Sequence, residues 1–117
     1  MDADGAAIET SLREGKIVVI DFYATWCAPC KAYSPKFQRI EREMRRARPD
    51  GDFVFYSVDI DRHQDAARDA NVRSVPTTVA YQMGKGFFGG AKRKELLRFA
   101  GDRSWNDLLR TFTDLLG

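Results

Sequence analysis

Ile17-Val18-Val19-Ile20-Asp21-Phe22-Tyr23-Ala24 is a nearly unbroken apolar run, rich in β-branched residues, that leads straight into Trp26-Cys27-Ala28-Pro29-Cys30. Such a run reads as a buried strand. From about Ala28 to Ala47 the pattern changes, and Phe37, Ile40, Met44 and Ala47 recur at spacings of three and four, as on a helix burying one face. Both cysteines of the chain therefore sit at a strand-to-helix junction, with Cys27 near the helix N-terminus. Unpaired backbone N–H groups and aligned peptide dipoles there stabilise a thiolate. Cys30 lies one turn further in, close enough to close a small disulfide ring with Cys27. The chemistry this implies is thiol–disulfide exchange.

Three other readings of the cysteine pair compete. The same spacing serves half of a zinc site, but there is no second pair and the one histidine, His63, is remote in the chain, so Asp or Glu would have to complete the shell. A purely structural disulfide gains little, because so short a loop removes little chain entropy and a reducing compartment would open it. Two small core residues are a fairer alternative, yet that reading gives no reason for an Ala-Pro dipeptide between them at the start of a helix.

Val19-Ile20-Asp21-Phe22-Tyr23-Ala24-Thr25-Trp26-Cys27-Ala28-Pro29-Cys30-Lys31, then Pro35, Val58-Asp59-Ile60-Asp61, Val72-Arg73-Ser74-Val75-Pro76-Thr77 and a late Gly together resemble the thioredoxin family, over most of the chain. The resemblance implies an α/β fold with a central mixed sheet of four strands, or five, flanked by helices. It implies dithiol–disulfide oxidoreductase activity on protein substrates, with Cys27 as nucleophile and Cys30 as resolving thiol. It also implies a cis bond before Pro76, with the Val75 backbone offered to an extended substrate. Many relatives carry a strand ahead of the first helix; this chain has too few residues there, so that strand is expected to be short or missing.

Asp21 lies inside the apolar run, on one face with Val19 and Tyr23. Ionised in that setting it would be poorly solvated, so its pKa is expected to rise; an exposed edge-strand Asp fits the bare pattern as well. By resemblance it is the buried carboxylate beneath the second cysteine and accepts the Cys30 proton through a water. Relatives often pair that carboxylate with a Lys, and Ser57 stands in its place here. Trp26 is expected to cover the site as an apolar lip, with core packing the alternative. Ala28 replaces the usual Gly, and Pro29 stiffens the first helical turn. With Val75 and Pro76 these form the expected substrate surface.

At 117 residues, 44% hydrophobic and 31% charged, the chain suits a single domain over residues 1–117. A net charge of +2 does not call for nucleic acid. No run approaches the roughly eighteen apolar residues of a membrane span, and Met1-Asp2-Ala3-Asp4 is acidic where a secretory leader is basic. The expected location is the cytoplasm, or an organelle or secretory compartment if a targeting segment has been removed. The chain carries no nucleotide motif, so no cofactor is expected. Electrons would come from a flavin-containing, NADPH-dependent reductase, or from glutathione.

Several further elements are legible. Asp2 to Asp4 offer caps for a helix from about Gly5 to Glu14, with Ile8 and Leu12 inward and Gly15 as its stop. Pro35 should kink the long helix. Arg39, Arg42, Arg45, Arg46 and Arg48, with Glu41 and Glu43, read as a solvated face laced by i,i+3 and i,i+4 pairs, with an RNA-binding helix as the alternative. Pro49 to Asp52 is a turn, and Phe53 to Val58 reads as a central strand buried on both faces. Asp59 and Asp61 are expected to cap a short helix near His63 to Ala70; the acidic residues around His63 are too scattered for a convincing metal site. Ser104 caps a last helix whose Trp105, Leu108, Leu109, Phe112, Leu115 and Leu116 face the core.

The departure from the family is an enlarged loop at about 83–96. Phe87 and Phe88 could anchor a partner there while Lys92, Arg93 and Lys94 steer it, making the chain an interaction module; a neutral lengthening of a hairpin is the alternative. A disulfide oxidase or isomerase is the remaining redox reading, prompted by Phe22-Tyr23-Ala24 and Gly101-Asp102-Arg103. The lack of His between the cysteines favours a reductase.

Overall fold

The computed structural model describes residues 3–85 and 91–117. Along the chain run α1 (Gly5–Arg13), β1 (Ile17–Tyr23), α2 (Ala28–Ala47), β2 (Phe53–Asp59), α3 (Gln64–Asp69), β3 (Thr77–Lys85), β4 (Ala91–Ala100) and α4 (Trp105–Leu116). The strands form a mixed sheet in the order β2-β1-β3-β4, with β1 parallel to β2 and antiparallel to β3.

The alternation in β1 divides the core. Val19 packs with Tyr33, Phe37, Ile40 and Met44 of α2 and with Leu108, Phe112 and Leu116 of α4. Val18, Ile20 and Phe22 point the other way, into a cluster with Ile8 and Leu12 of α1 and Ala67 and Ala70 around α3. Each face of the sheet is thus sealed by two helices, and β1 is walled in on both faces and along both edges.

The local signals set most boundaries. The Asp4 carboxylate accepts from the Ala7 N–H at 3.0 Å, and Gly15, at φ +83°, turns the chain out of α1. The Ser104 hydroxyl accepts from the Asp107 N–H at 3.2 Å at the start of α4. Helix α2 runs through Pro35 to Ala47, but Ala47 itself is exposed and lies outside the apolar stripe.

Other expectations need correction. Strand β2 is at an edge of the sheet, not central, and Val54, Tyr56 and Ser57 are only half-buried. Phe53 and Phe55 pack under α2 and α4 while Tyr56 packs on the opposite face, and such burial needs no strand on the outer edge. Ala3 meets the outer edge of β2, donating its N–H to the Ser57 carbonyl at 2.9 Å, so the segment ahead of α1 touches the sheet there. Helix α3 is capped at His63 without a side-chain bond, while Asp59 accepts from the Asp61 N–H at 2.9 Å and braces the preceding turn.

The arginines of α2 are exposed, as expected of a solvated face, but several of them also make contacts beyond the helix. Arg46 pairs with Glu43 at 3.3 Å, as its spacing suggests. Arg39, however, lies 3.8 Å over the Trp105 ring, and Arg48 donates to the Leu116 carbonyl at 3.3 Å. Arg45 donates to the carbonyls of Pro49, Gly51 and Phe53 at 3.2, 3.0 and 2.8 Å. These guanidinium groups tie the helix to the turn and to α4.

Most of the segment expected as a loop at 83–96 is strand. β3 continues to Lys85 and β4 starts at Ala91, with Met83 opposite Arg93 and Gly84 opposite Lys92. Arg93 is occupied within the molecule, paired with Glu9 and lying 4.8 Å over the Tyr81 ring. Lys92 and Lys94 are exposed, whereas Phe87 and Phe88 lie outside the described residues.

Candidate active site

The site is built where β1 hands over to α2. Cys27 is the N-cap of α2 and Pro29 falls in its first turn, where its missing N–H leaves no helical bond unmade. Cys27 and Cys30 are joined as a disulfide, with Cα atoms 5.3 Å apart. The Cys30 N–H donates to Cys27 Sγ at 3.2 Å, so the helix terminus directs a backbone donor at the first sulfur. Both cysteines are nearly covered, at 4% and 2% exposure, packed with Ala24 and flanked by Tyr23, Ile60 and Val75.

The opposite wall comes from the segment before β3. The Val75–Pro76 bond is cis, and the Val75 carbonyl oxygen stands 3.6 Å from Cys27 Sγ. Pro76 is buried and Val75 half-buried, while Ala28 and Pro29 are exposed beside the sulfurs. Trp26 is 67% exposed, which removes core packing as its role. Its indole N–H donates to the Asp61 carboxylate at 2.8 Å and holds the ring at the surface. Asp61, expected as a helix cap, instead anchors Trp26, a part that local pattern did not signal because the two residues are far apart in sequence.

On β1, Asp21 is fully buried, which removes the exposed edge-strand reading. Burial drives its carboxyl up to about 7, opposed by a hydrogen bond donated from Ser34 Oγ to Oδ2 at 3.2 Å. Its Oδ1 has no hydrogen-bond partner among the described residues. In register beside it are Ser57 on β2 and Thr78 on β3. The Thr78 hydroxyl shares a 2.7 Å bond with Tyr33 of α2, whose phenol is pushed up by burial. Ser34, Tyr33 and Thr78 were not singled out by pattern; Ser34 could have been, since it follows Cys30 by one helical turn.

A sequence model of the family described as Thioredoxin matches residues 4–102. The chain belongs to the thioredoxin family. It is 34% identical over 99 residues to a thioredoxin of Mycoplasmoides gallisepticum, covering 80% of this chain and 93% of that one. It is 40% identical over 83 residues to a thioredoxin of Gallus gallus, covering 69% and 73% respectively. Among solved structures it resembles Fasciola hepatica thioredoxin, with a TM-score of 0.71 and 30% identity over 97% of this chain and 98% of that one. A thioredoxin of this make-up is a thiol–disulfide oxidoreductase that reduces disulfides in proteins, and the Cys27–Cys30 disulfide is the redox pair it needs.

Among the described residues, no group of three or more His, Cys, Asp or Glu side chains could hold a metal ion. No described helix is long and apolar enough to cross a membrane.

Proposed function

We infer that Cys27 is the attacking thiol, Cys30 the resolving thiol and Asp21 the group that accepts the Cys30 proton. The observation that supports this reading is the Cys27–Cys30 disulfide at the start of α2, with the buried Asp21 bonded to Ser34 one turn further along the same helix. In the reduced protein the Cys27 thiolate attacks one sulfur of a substrate disulfide, and the other sulfur leaves as a thiolate. Cys30 then loses its proton, attacks Cys27 Sγ and expels the substrate's remaining sulfur. Two electrons pass from the dithiol to the substrate, and Cys27 and Cys30 end as the disulfide.

Trp26, Ala28, Pro29, Val75 and Pro76 form the rim against which the substrate lies. The Val75 carbonyl, beside Cys27 and free of any strand, suits an extended peptide that adds itself by a backbone hydrogen bond. The oxidised protein is recharged by an NADPH-dependent thioredoxin reductase, so the chain is an electron carrier in cellular redox homeostasis. A working reductant requires a reducing compartment, which supports the cytoplasm as its location. Residues 1–117 act as one domain, since both helix layers pack on a single sheet.

Insulin reduction with dithiothreitol as donor tests the assignment. Wild-type protein should accelerate precipitation of the insulin chains, and Cys27→Ser should fall to the rate of dithiothreitol alone. Equal rates for the two proteins would overturn it.

A further inference from the structure

Asp21 has no access to solvent, yet a group that takes up a proton in each turnover must also release it. Among the described residues, the Ser34 hydroxyl donates to its carboxylate, and Ser34 is half-buried. Ser34 and Cys30 share a face of α2 one turn apart, so the helix that presents the resolving thiol also presents this hydroxyl to β1. The two carboxylate oxygens are thereby made unequal. Oδ2 is held by Ser34, and Oδ1 is buried with no partner among the described residues.

The elements packed around Asp21 carry other titratable groups, and those for which bonds are defined are engaged elsewhere. On α2, Tyr33 bonds Thr78 at 2.7 Å, and Lys36 bonds Asp102 at 2.8 Å. Beyond them Arg103 lies 4.3 Å over the Phe99 ring. At the end of β2, Asp59 accepts from the Asp61 N–H at 2.9 Å. Tyr23 ends β1, and Cys27 and Cys30 are the disulfide. The hydrogen bond that Asp21 accepts comes from Ser34.

We propose that Ser34 is a positioning residue for the resolving step: by donating to Oδ2 it holds the Asp21 carboxylate ionised and leaves Oδ1 to take the Cys30 proton. The proposal rests on the reading of Asp21 as proton acceptor. The proton passes from Cys30 Sγ to Oδ1, directly or across one water. The Cys30 thiolate forms the bond to Cys27 Sγ, the bond from Cys27 to the substrate sulfur breaks, and that sulfur leaves with the electron pair. A hydroxyl both donates and accepts. Ser34 can therefore donate to the carboxylate and, after rotating, accept from the carboxylic acid, which links the buried group to the surface as the proton departs.

The test is the pH dependence of resolution in the full-length reduced protein. A mixed disulfide between Cys27 and thionitrobenzoate is formed with Ellman's reagent, and release of the second thionitrobenzoate is followed by stopped flow from pH 5 to 9. With the carboxyl near 7, about half is ionised at neutral pH. Loss of one hydrogen bond to a charged group moves such a titration up by about one pH unit, leaving about a tenth ionised. Ser34→Ala should therefore resolve about fivefold more slowly at pH 7, with its profile displaced upward by about one unit. Wild-type and variant rates should converge toward pH 9. Ser34→Thr and Ser34→Val share a shape and differ in the hydroxyl; Thr should keep the wild-type profile and Val should shift like Ala. A wild-type profile for both Ala and Val, while Asp21→Asn loses the neutral-pH inflection, would overturn the role of Ser34 and leave that of Asp21 standing. An unaltered inflection in Asp21→Asn would overturn the reading of Asp21 itself, and with it this proposal.

Discussion

Asp21 is the residue whose chemistry and stability are most directly opposed. The unfolded chain gives up this proton near its ordinary value of 3.8, whereas burial in β1, despite the hydrogen bond from Ser34, delays the loss to about 7. Between those values the folded state holds a proton that the unfolded state has released, so stability falls as pH rises through that window. Asp21→Asn removes the ionisation and should be more stable than wild type above pH 7, by about 2–4 kcal/mol. The gap should close toward pH 4. Urea denaturation across pH 4–8 checks this, and a difference independent of pH would show that the carboxylate is not held neutral by burial. Polar-among-apolar patterning exposed this residue at once. It did not expose Ser34, because a serine on a helix looks the same whether it meets water or a carboxylate.

Helix α2 was legible in its span, its N-terminal proline and its stripe as far as Met44, since these operate within a turn or two of chain. The partners of its arginines were not. Periodicity says which positions turn away from the core, but not which carbonyls or rings from other segments lie there. Arg45 and Arg46 are adjacent and look alike in sequence, yet their variants should separate. Arg45→Ala loses three bonds to the carbonyls of Pro49, Gly51 and Phe53 and the contact 4.1 Å above the Phe53 ring. It should cost about 1–3 kcal/mol in thermal or urea unfolding. Arg46→Ala loses an exposed pair with Glu43 and should stay within about 0.5 kcal/mol. Equal effects would mean that the turn after α2 stands without Arg45. Strands β3 and β4 make the same point, because Gly84 and the charged residues 92–95 resembled a loop while cross-strand pairing made them strand.

Across the molecule, stability should be graded by enclosure. β1 has a strand on each side and a helix layer on each face, whereas α3 spans Gln64–Asp69 and buries only Ala67. Hydrogen exchange should accordingly be slowest at the β1 amides and markedly faster in α3; equally slow exchange in α3 would contradict this layering. The amino-acid sequence by itself determined the strand-to-helix handover, the cysteine pair at the helix start and the apolar stripe of each long helix. All of these arise from residues within a few positions of one another, where backbone geometry dictates which side chains share a face. Tertiary structure alone decided that β2 lies at an edge, that Val75 meets Cys27 across 48 positions and that Trp26 meets Asp61 across 35. Those contacts depend on the path of the chain between the partners, and no local periodicity encodes where two distant segments meet.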